Sequence, residues 1–572
     1  MKSLRLDNSL PHPLFAPVLL AAVILAVYYP AMSNGIHSID DPGIIAFFSS
    51  PPSLFDTLLP GRNYYYRPII ELSYYLDSKL WGMEPSVMHL ENILLHITNS
   101  MLVFSISRKV AAHYPERSPP IPVLAALLFA LHPLNVEAVS WIAGRTDPLA
   151  ALFILSACFL WLCWFDNPKW QYAVSTLLLF GLGILTKESA LAFLPVSLLL
   201  VLAWPALSAR RRLIATGGIF VSVAAVVAAV ALNWKSGVIS LGRFLAYNNF
   251  DATGWWQNSL VAFGFYVKKL LMPLPLNFAI TDVPTAYGLL GILSIIALVV
   301  ALVVWRLPAL FLAASALMIL PALILATIPI AWTPLAERYM YMPTAFLCIG
   351  TSCLFLSVQK RNLNRLAPLI MIVVCIAGSV SFQRNLLWKD KLAFYQDAVS
   401  KSPGFGSVYN ELGGVFLQQR QIDKAAGAFA IADRLNKRPS MKMPIKSNIM
   451  ATMVAKGDFV AAREYFFQLF GEKIVAPAEF LELLYIADNK RLESIEKEGK
   501  VILACDLLET LGLLYLQKQD PFWLYQSGKM ALVIGNSNEA ADFFRRAYVT
   551  APVDAHYKAA AKTYFMRLET GK

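Results

Sequence analysis

Charge is scarce in this chain. Of its 572 residues only 15% are Asp, Glu, Lys or Arg, while 57% are hydrophobic and the mean hydropathy is +0.55. Ordinary soluble domains carry roughly 25% charge, so the shortage excludes a wholly soluble protein. Cysteine is sparse as well. Five of the six, Cys158, Cys163, Cys348, Cys353 and Cys375, fall in apolar runs, and Cys505 alone falls in a polar region. No Cys-x-x-Cys pair and no Cys/His ligand spacing occurs, which excludes a disulfide framework and a structural zinc site. His89 and His132 have no second histidine at ligand spacing and read as structural. Nucleic acid is not an expected partner despite the net charge of +12. The basic clusters Lys2/Arg5, Arg108/Lys109, Arg210-Arg211-Arg212 and Lys360-Arg361 with Arg365 each sit in a short link between apolar runs. That is the positive-inside pattern of cytoplasmic loops.

Long apolar runs are what the chain has in abundance. A bilayer-crossing helix needs about 20 such residues. The sequence predicts eleven spans, near 14–33, 86–107, 121–136, 148–165, 171–186, 190–204, 213–232, 286–305, 309–330, 341–358 and 366–383. The first is too long for a signal-peptide core and lacks a clean cleavage site, so it reads as a retained anchor. With the amino terminus cytoplasmic, the basic clusters all fall inside and the carboxy-terminal region falls outside. The segment 255–276 reads as an interfacial or re-entrant piece of an outer loop spanning 233–285. These features predict an all-α polytopic membrane bundle over residues 1–384, with a first outer loop at 34–85.

From 385 to 572 charge rises and the long apolar runs end. Two windows share a 34-residue tetratricopeptide pattern. One carries Tyr409, Leu412, Gly413, Phe416, Ala425, Phe429 and Ala432; the other carries Gly528, Gly535, Ala540, Phe544, Ala547 and Pro552. A degraded copy surrounds Gly457, Ala462 and Phe466. The expectation is an extramembrane α-solenoid, an architecture that presents a concave peptide-binding surface.

Ionisable residues near the membrane concentrate on the outer side, and such groups are costly unless they serve a site. They are the Asp40-Asp41 pair, Arg67, Glu71, Glu137, Arg145, Asp147, Lys187, Glu188, Lys268, Lys269, Glu337 and Arg338. Carboxylates interleaved with cations suit the deprotonation of a hydroxyl and the departure of an anion. Each position also has an ordinary reading. Asp40 or Asp41 before Pro42 is a turn or a helix cap; Asp147 before Pro148 is another; Lys187 snorkels; Tyr339 and Tyr341 belong to an interfacial aromatic belt.

The runs "YYYRPIIELSYYLDSKLWGMEPSVMHLENILLHITNSMLVF", "LFALHPLNVEAVSWIAGRTDPLAALFILSA", "TKESA" and "ERYMYMP" occur in that order. Together they resemble the transmembrane and tetratricopeptide-repeat-containing O-mannosyltransferases and their bacterial relatives, which are class C glycosyltransferases. The resemblance covers 14–384. It implies a multi-span enzyme with an acidic catalytic pair in the first outer loop, matched here by Asp40 and Asp41. It also implies a sugar donor on a polyprenyl phosphate. The family's outer-loop motifs match Glu137, Arg145 and Asp147, then Lys187 and Glu188, then Glu337, Arg338 and Tyr339.

The expected chemistry is transfer of mannose or a similar hexose to a hydroxyl of a protein or peptide acceptor, in one inverting step. Asp40 or Asp41 takes the proton. Arg145, Lys187 and Arg338, with Lys268 and Lys269, meet the phosphate. Glu137, Asp147, Glu188 and Glu337 orient those cations, and Arg67 secures the loop. No cofactor is expected; Mg²⁺ or Mn²⁺ held by carboxylates is the less favoured alternative, suited to a pyrophosphate donor. Compact loops and degenerate repeats suggest a bacterial inner membrane, with the repeats periplasmic. The competing readings are a transferase or ligase acting on an envelope glycan or lipid-linked oligosaccharide, and a non-enzymatic repeat-bearing scaffold.

Overall fold

The protein is described by a computed structural model covering residues 15–59, 66–113, 120–204, 207–232, 252–327, 332–358, 363–471 and 476–570. Lys2, Arg5, Lys360, Arg361 and positions 60–65 and 233–251 lie outside the described residues. Among those described, regular structure is helical, with one isolated antiparallel bridge between Ile280 and Leu335. They form two compact units that divide between Ser402 and Pro403.

In the first unit, five described helical segments are long and apolar enough to cross a membrane: Ala16–Ser33, Ala143–Asp166, Tyr287–Val304, Arg306–Thr327 and Pro368–Lys389. A sixth qualifies only as a bent pair, Ile121–Ala130 with Pro133–Ser140, which turns by 46°. Several other expected spans are helices that fall short of that test. Trp170–Thr186 and Glu188–Ala203 are shorter apolar helices. Pro85–Ala111 buries Asn92, His96, Asn99 and Ser100 against the protein, and these polar side chains lower its apolarity.

The bend has a specific cause. Pro133 has no N–H for the carbonyl of Phe129 and interrupts the helix. The carbonyls freed there find side-chain donors, as buried backbone requires. Asn135 Nδ2 donates to Phe129 O at 2.7 Å, and Ser381 Oγ donates to Leu131 O at 2.8 Å. His96 Nε2 lies 2.9 Å from Ala130 O. The break puts Glu137 at the start of the short helix Val136–Ser140.

The segment Ala252–Leu271 is one continuous helix. It packs tightly on Tyr287–Val304 through two glycines. A Cβ on Gly264 would stand 1.9 Å from Tyr287 O, and one on Gly291 would stand 2.6 Å from Leu260 O.

The segment 34–85 is held by apolar packing. Phe48, Ile70, Tyr74, Met83, Met88 and Ile142 form one buried cluster, joined by Ile44, Ile45 and Leu149. It fixes the short helix Asp41–Phe48 against Pro68–Trp81, which ends at Gly82 in the left-handed conformation with φ of 64°.

The second unit is built from helical hairpins. In the pair Gly406–Gln418 and Ile422–Leu435, a Cβ on Gly413 would lie 2.6 Å from the Phe429 ring. In Pro521–Ile534 and Ser537–Thr550, Gly528 stands in the same relation to Phe544 at 2.7 Å. In both hairpins a missing side chain lets an aromatic ring close the gap between helices.

Candidate active site

Asp40 and Asp41 are adjacent in sequence and opposite in circumstance. Asp41 is fully buried. Its Oδ2 accepts the backbone N–H of His37 at 2.8 Å and its Oδ1 accepts that of Ala143 at 3.1 Å. Both oxygens therefore pin the segment that bears Asp41, to itself and to the loop after Val136–Ser140. Burial pushes its carboxyl up to about 7, the two backbone N–H groups pull it back, and Asp40 adds to the rise.

Asp40 occupies the N-cap position of Asp41–Phe48, yet its side chain makes no capping hydrogen bond. The ordinary reading of this residue as a helix cap therefore fails. It keeps an exposed surface. Partial enclosure raises its carboxyl above the usual range, while Arg338 and Arg67 pull in the opposite direction. A solvent-reachable carboxylate facing two guanidinium groups is equipped to take a proton.

Those cations are oriented by carboxylates from other helices. Arg338 Nη1 pairs with Glu137 Oε1, and Glu137 Oε2 accepts the backbone N–H groups of Glu337 and Arg338 at 3.1 and 3.3 Å. The Arg338 guanidinium lies over Trp141 at 5.1 Å and Tyr339 at 4.9 Å, and it donates to the Tyr339 hydroxyl at 3.3 Å. Lys187 Nζ donates to Asp147 Oδ1 at 2.6 Å and lies 5.4 Å from the Tyr339 ring. Burial lowers the Lys187 ammonium and Asp147 opposes that shift. Arg67 forms a two-pronged pair with Glu188, at 3.0 and 2.5 Å. Arg67 and Arg338 thus act on Asp40, and Lys187 lies near both of those cations, each of the three paired with its own carboxylate.

Other expected phosphate ligands are placed elsewhere. Arg145 is only 2% exposed, and all three guanidinium nitrogens are engaged. They meet Asp77 at 2.6 Å, Glu91 at 2.9 Å, Asn92 Oδ1 at 3.1 Å and Met88 O at 3.2 Å, with the Tyr74 ring at 5.1 Å. It is a buried tie between Pro68–Trp81 and Pro85–Ala111, with each guanidinium nitrogen bonded to a protein partner. Lys269 is buried on Glu337 Oε1 at 2.7 Å, and the same oxygen accepts Asn277 N–H at 2.8 Å. Lys268 donates to the carbonyl of Leu274. Among the described residues no group of three or more His, Cys, Asp or Glu is arranged to hold a metal ion.

Sequence reasoning missed several participants. Asp77, Glu91 and Asn92 carried no signal beyond being polar in helical runs. His37 sits in an aromatic box of Trp141, Phe278, Trp388, Phe394 and Tyr395, with ring centroids 5.1 to 5.9 Å away. Three of those rings come from beyond residue 384, in a region whose composition reads as soluble.

Comparison with known proteins adds a relationship by sequence. The family model described as dolichyl-phosphate-mannose-protein mannosyltransferase matches residues 69–234. That stretch holds Glu137, Arg145, Asp147, Lys187 and Glu188, but begins after Asp40-Asp41 and ends before Glu337-Arg338. The chain is 24% identical over 370 residues to protein O-mannosyl-transferase F38B6.6 of Caenorhabditis elegans, covering 61% of this chain and 51% of that one. It is 22% identical over 419 residues to human protein O-mannosyl-transferase TMTC3, covering 64% and 44%. A shorter match, 34% over 135 residues, links it to protein O-mannosyl-transferase Tmtc1 of Drosophila melanogaster, covering 23% and 15%. The chain spans about half the length, or less, of these curated relatives.

Proposed function

We propose that this chain is a membrane glycosyltransferase that moves mannose or a similar hexose from a polyprenyl-phosphate donor to a hydroxyl of a protein acceptor. The observation that carries the reading is Asp40: a solvent-reachable carboxylate at a helix start that it does not cap, facing Arg338 and Arg67. The names of the relatives supply the sugar and the acceptor class.

In this mechanism Asp40 accepts the proton of the acceptor hydroxyl. The oxygen attacks the anomeric carbon from the face opposite the phosphate, the bond to the phosphate oxygen breaks, and the sugar inverts. Negative charge gathers on the departing polyprenyl phosphate. Arg338, Lys187 and Arg67 meet it, their side chains already oriented by Glu137, Asp147 and Glu188, so little reorganisation accompanies the step. Asp41 holds the loop that carries Asp40.

An apolar cavity of about 160 Å³ supports the donor's nature. It lies among Trp161, Thr176, Phe180, Phe193, Ser197 and Ile219. Thr176 and Phe180 are on the helix that ends at Thr186, directly before Lys187, and Phe193 begins the next one. A prenyl chain in this cavity would have its phosphate at the outer end, near Lys187. Our topology keeps eleven spans in a bacterial inner membrane, with the helical hairpins read as tetratricopeptide repeats on the periplasmic side.

The test is transfer by the purified full chain from radiolabelled mannosyl-phosphoryl-polyprenol, with and without EDTA. Transfer to protein that EDTA leaves intact is expected, and Arg338→Gln is expected to lower kcat/KM about a hundredfold. Transfer only to a glycan acceptor would replace the protein acceptor in this reading, and EDTA-sensitive transfer would demand a divalent ion. The second part of this proposal is that residues 403–572 bind the protein acceptor and supply binding energy remote from the reacting oxygen. Removing residues 403–572 should cost more transfer to a folded protein than to a short peptide; equal losses would remove that role.

A further inference from the structure

We propose that Tyr395 is a positioning residue for Asp40, latching the first outer loop through Ser38. This inference rests on the assignment of Asp40 as the base.

The Tyr395 hydroxyl lies 2.5 Å from Ser38 Oγ. It also lies 3.4 and 3.3 Å from the two ring nitrogens of His37, at the long end of hydrogen bonding, so the short contact to Ser38 is the stronger one. Ser38 is two residues before Asp40. One residue after Asp40, Asp41 is fixed by the backbone N–H groups of His37 and Ala143. Asp40 is thus held between two anchored neighbours, and its own side chain makes no capping bond. Its aim toward a hydroxyl depends on those anchors.

Tyr395 is itself rigidly placed. It is fully buried on the helix Lys391–Lys401, which Asp390 caps by accepting Ala393 N–H at 3.1 Å. Asp397 on that helix pairs with Arg384 at 3.1 Å. Ser402, just past its end, bonds to Ala279 O and accepts from Asn277 Nδ2 at 2.9 Å. Asn277 also donates its backbone N–H to Glu337, next to Arg338. The helix therefore ties the loop bearing the base to the segment flanking the phosphate-facing arginine. His37, held neutral by burial with its imidazole at about 3, adds an uncharged packing surface to the latch.

The experiment compares wild type, Tyr395→Phe, Ser38→Ala, the double variant, Ser38→Thr and Asp40→Asn in the full chain, using the labelled-donor assay. Tyr395→Phe and Ser38→Ala each lower kcat about tenfold, because a small misplacement of a reacting group is costly. The donor KM stays within about twofold, since no donor contact is removed. The double variant is no slower than the slower single, because both remove one shared bond. Ser38→Thr, which keeps the hydroxyl, keeps kcat. A wild-type kcat in Tyr395→Phe, additive losses in the double, or a loss carried by KM overturns the latch. Asp40→Asn separates the two levels: full transfer there overturns the assignment of the base, whereas an inactive Asp40→Asn beside a fully active Tyr395→Phe overturns the latch alone.

Discussion

Asp40→Asn is expected to lower kcat about a thousandfold while leaving donor affinity near wild type. Loss of a positioned base typically costs 10²–10⁴ in rate, and Asn keeps the shape while removing the proton acceptor. The adjacent Asp41→Asn should behave differently. Asp41 accepts two backbone N–H groups, one on each oxygen. An amide has one acceptor oxygen and must turn its NH₂ toward the other N–H. One buried donor is left unsatisfied, at a cost of about 1–3 kcal/mol. The loop loosens, so Asp41→Asn should lower the unfolding temperature and reduce kcat about tenfold through misplacement of Asp40. If Asp41→Asn abolishes transfer in a stable protein while Asp40→Asn retains it, the two roles are reversed.

The pH dependence separates the same two carboxyls. A base must be ionised, so kcat/KM should rise with pH through the Asp40 value, which enclosure raises above the ordinary 3.8. Asp41 contributes to stability in the opposite sense. Its carboxyl, raised to about 7 in the fold, binds a proton more tightly there than in the unfolded chain. Its contribution to stability is full below about pH 4 and is lost as pH rises toward 7. Asp41→Asn removes that slope; Asp40→Asn removes the acid limb of the rate profile. Denaturation measured from pH 4 to 7 and initial rates over the same range distinguish them.

How much of this was legible in the sequence depends on whether a feature is local. Helix content is written in runs of apolar and helix-forming residues, but the span expected over 121–136 is broken at Pro133, where the missing donor outweighs the apolar run. The Gly413–Phe429 and Gly528–Phe544 contacts were visible as matching letters in two windows because a hairpin brings them together over a fixed short distance. Charge partners are not local. Glu188 follows Lys187 in sequence but binds Arg67, and Lys187 binds Asp147, 40 residues earlier. Glu337 precedes Arg338 but binds Lys269, while Arg338 binds Glu137. The change of composition near residue 384 does not mark a change of contacts. Phe394 and Tyr395 pack on His37, and the first compact unit runs to Ser402.

Arg145 shows what motif position alone cannot reveal. It stands in a conspicuous motif run and has the charge a phosphate needs, yet its guanidinium is spent on Asp77, Glu91, Asn92 and Met88 O. Arg145→Met is therefore expected to act on stability, by about 3–5 kcal/mol, because it strands two carboxylates whose partner is gone. The purified variant should lose its monodisperse form several degrees below wild type on heating. Adding Asp77→Asn and Glu91→Gln to Arg145→Met should restore much of that loss, since the stranded charges disappear while hydrogen-bonding groups of similar size remain. Such rescue belongs to a structural tie: neutralising Asp77 and Glu91 supplies nothing to a donor phosphate. Donor affinity of the folded fraction should stay at the wild-type value. A variant as stable as wild type that no longer binds the labelled donor would return Arg145 to the phosphate, and would require Asp77 and Glu91 to release it when the donor arrives.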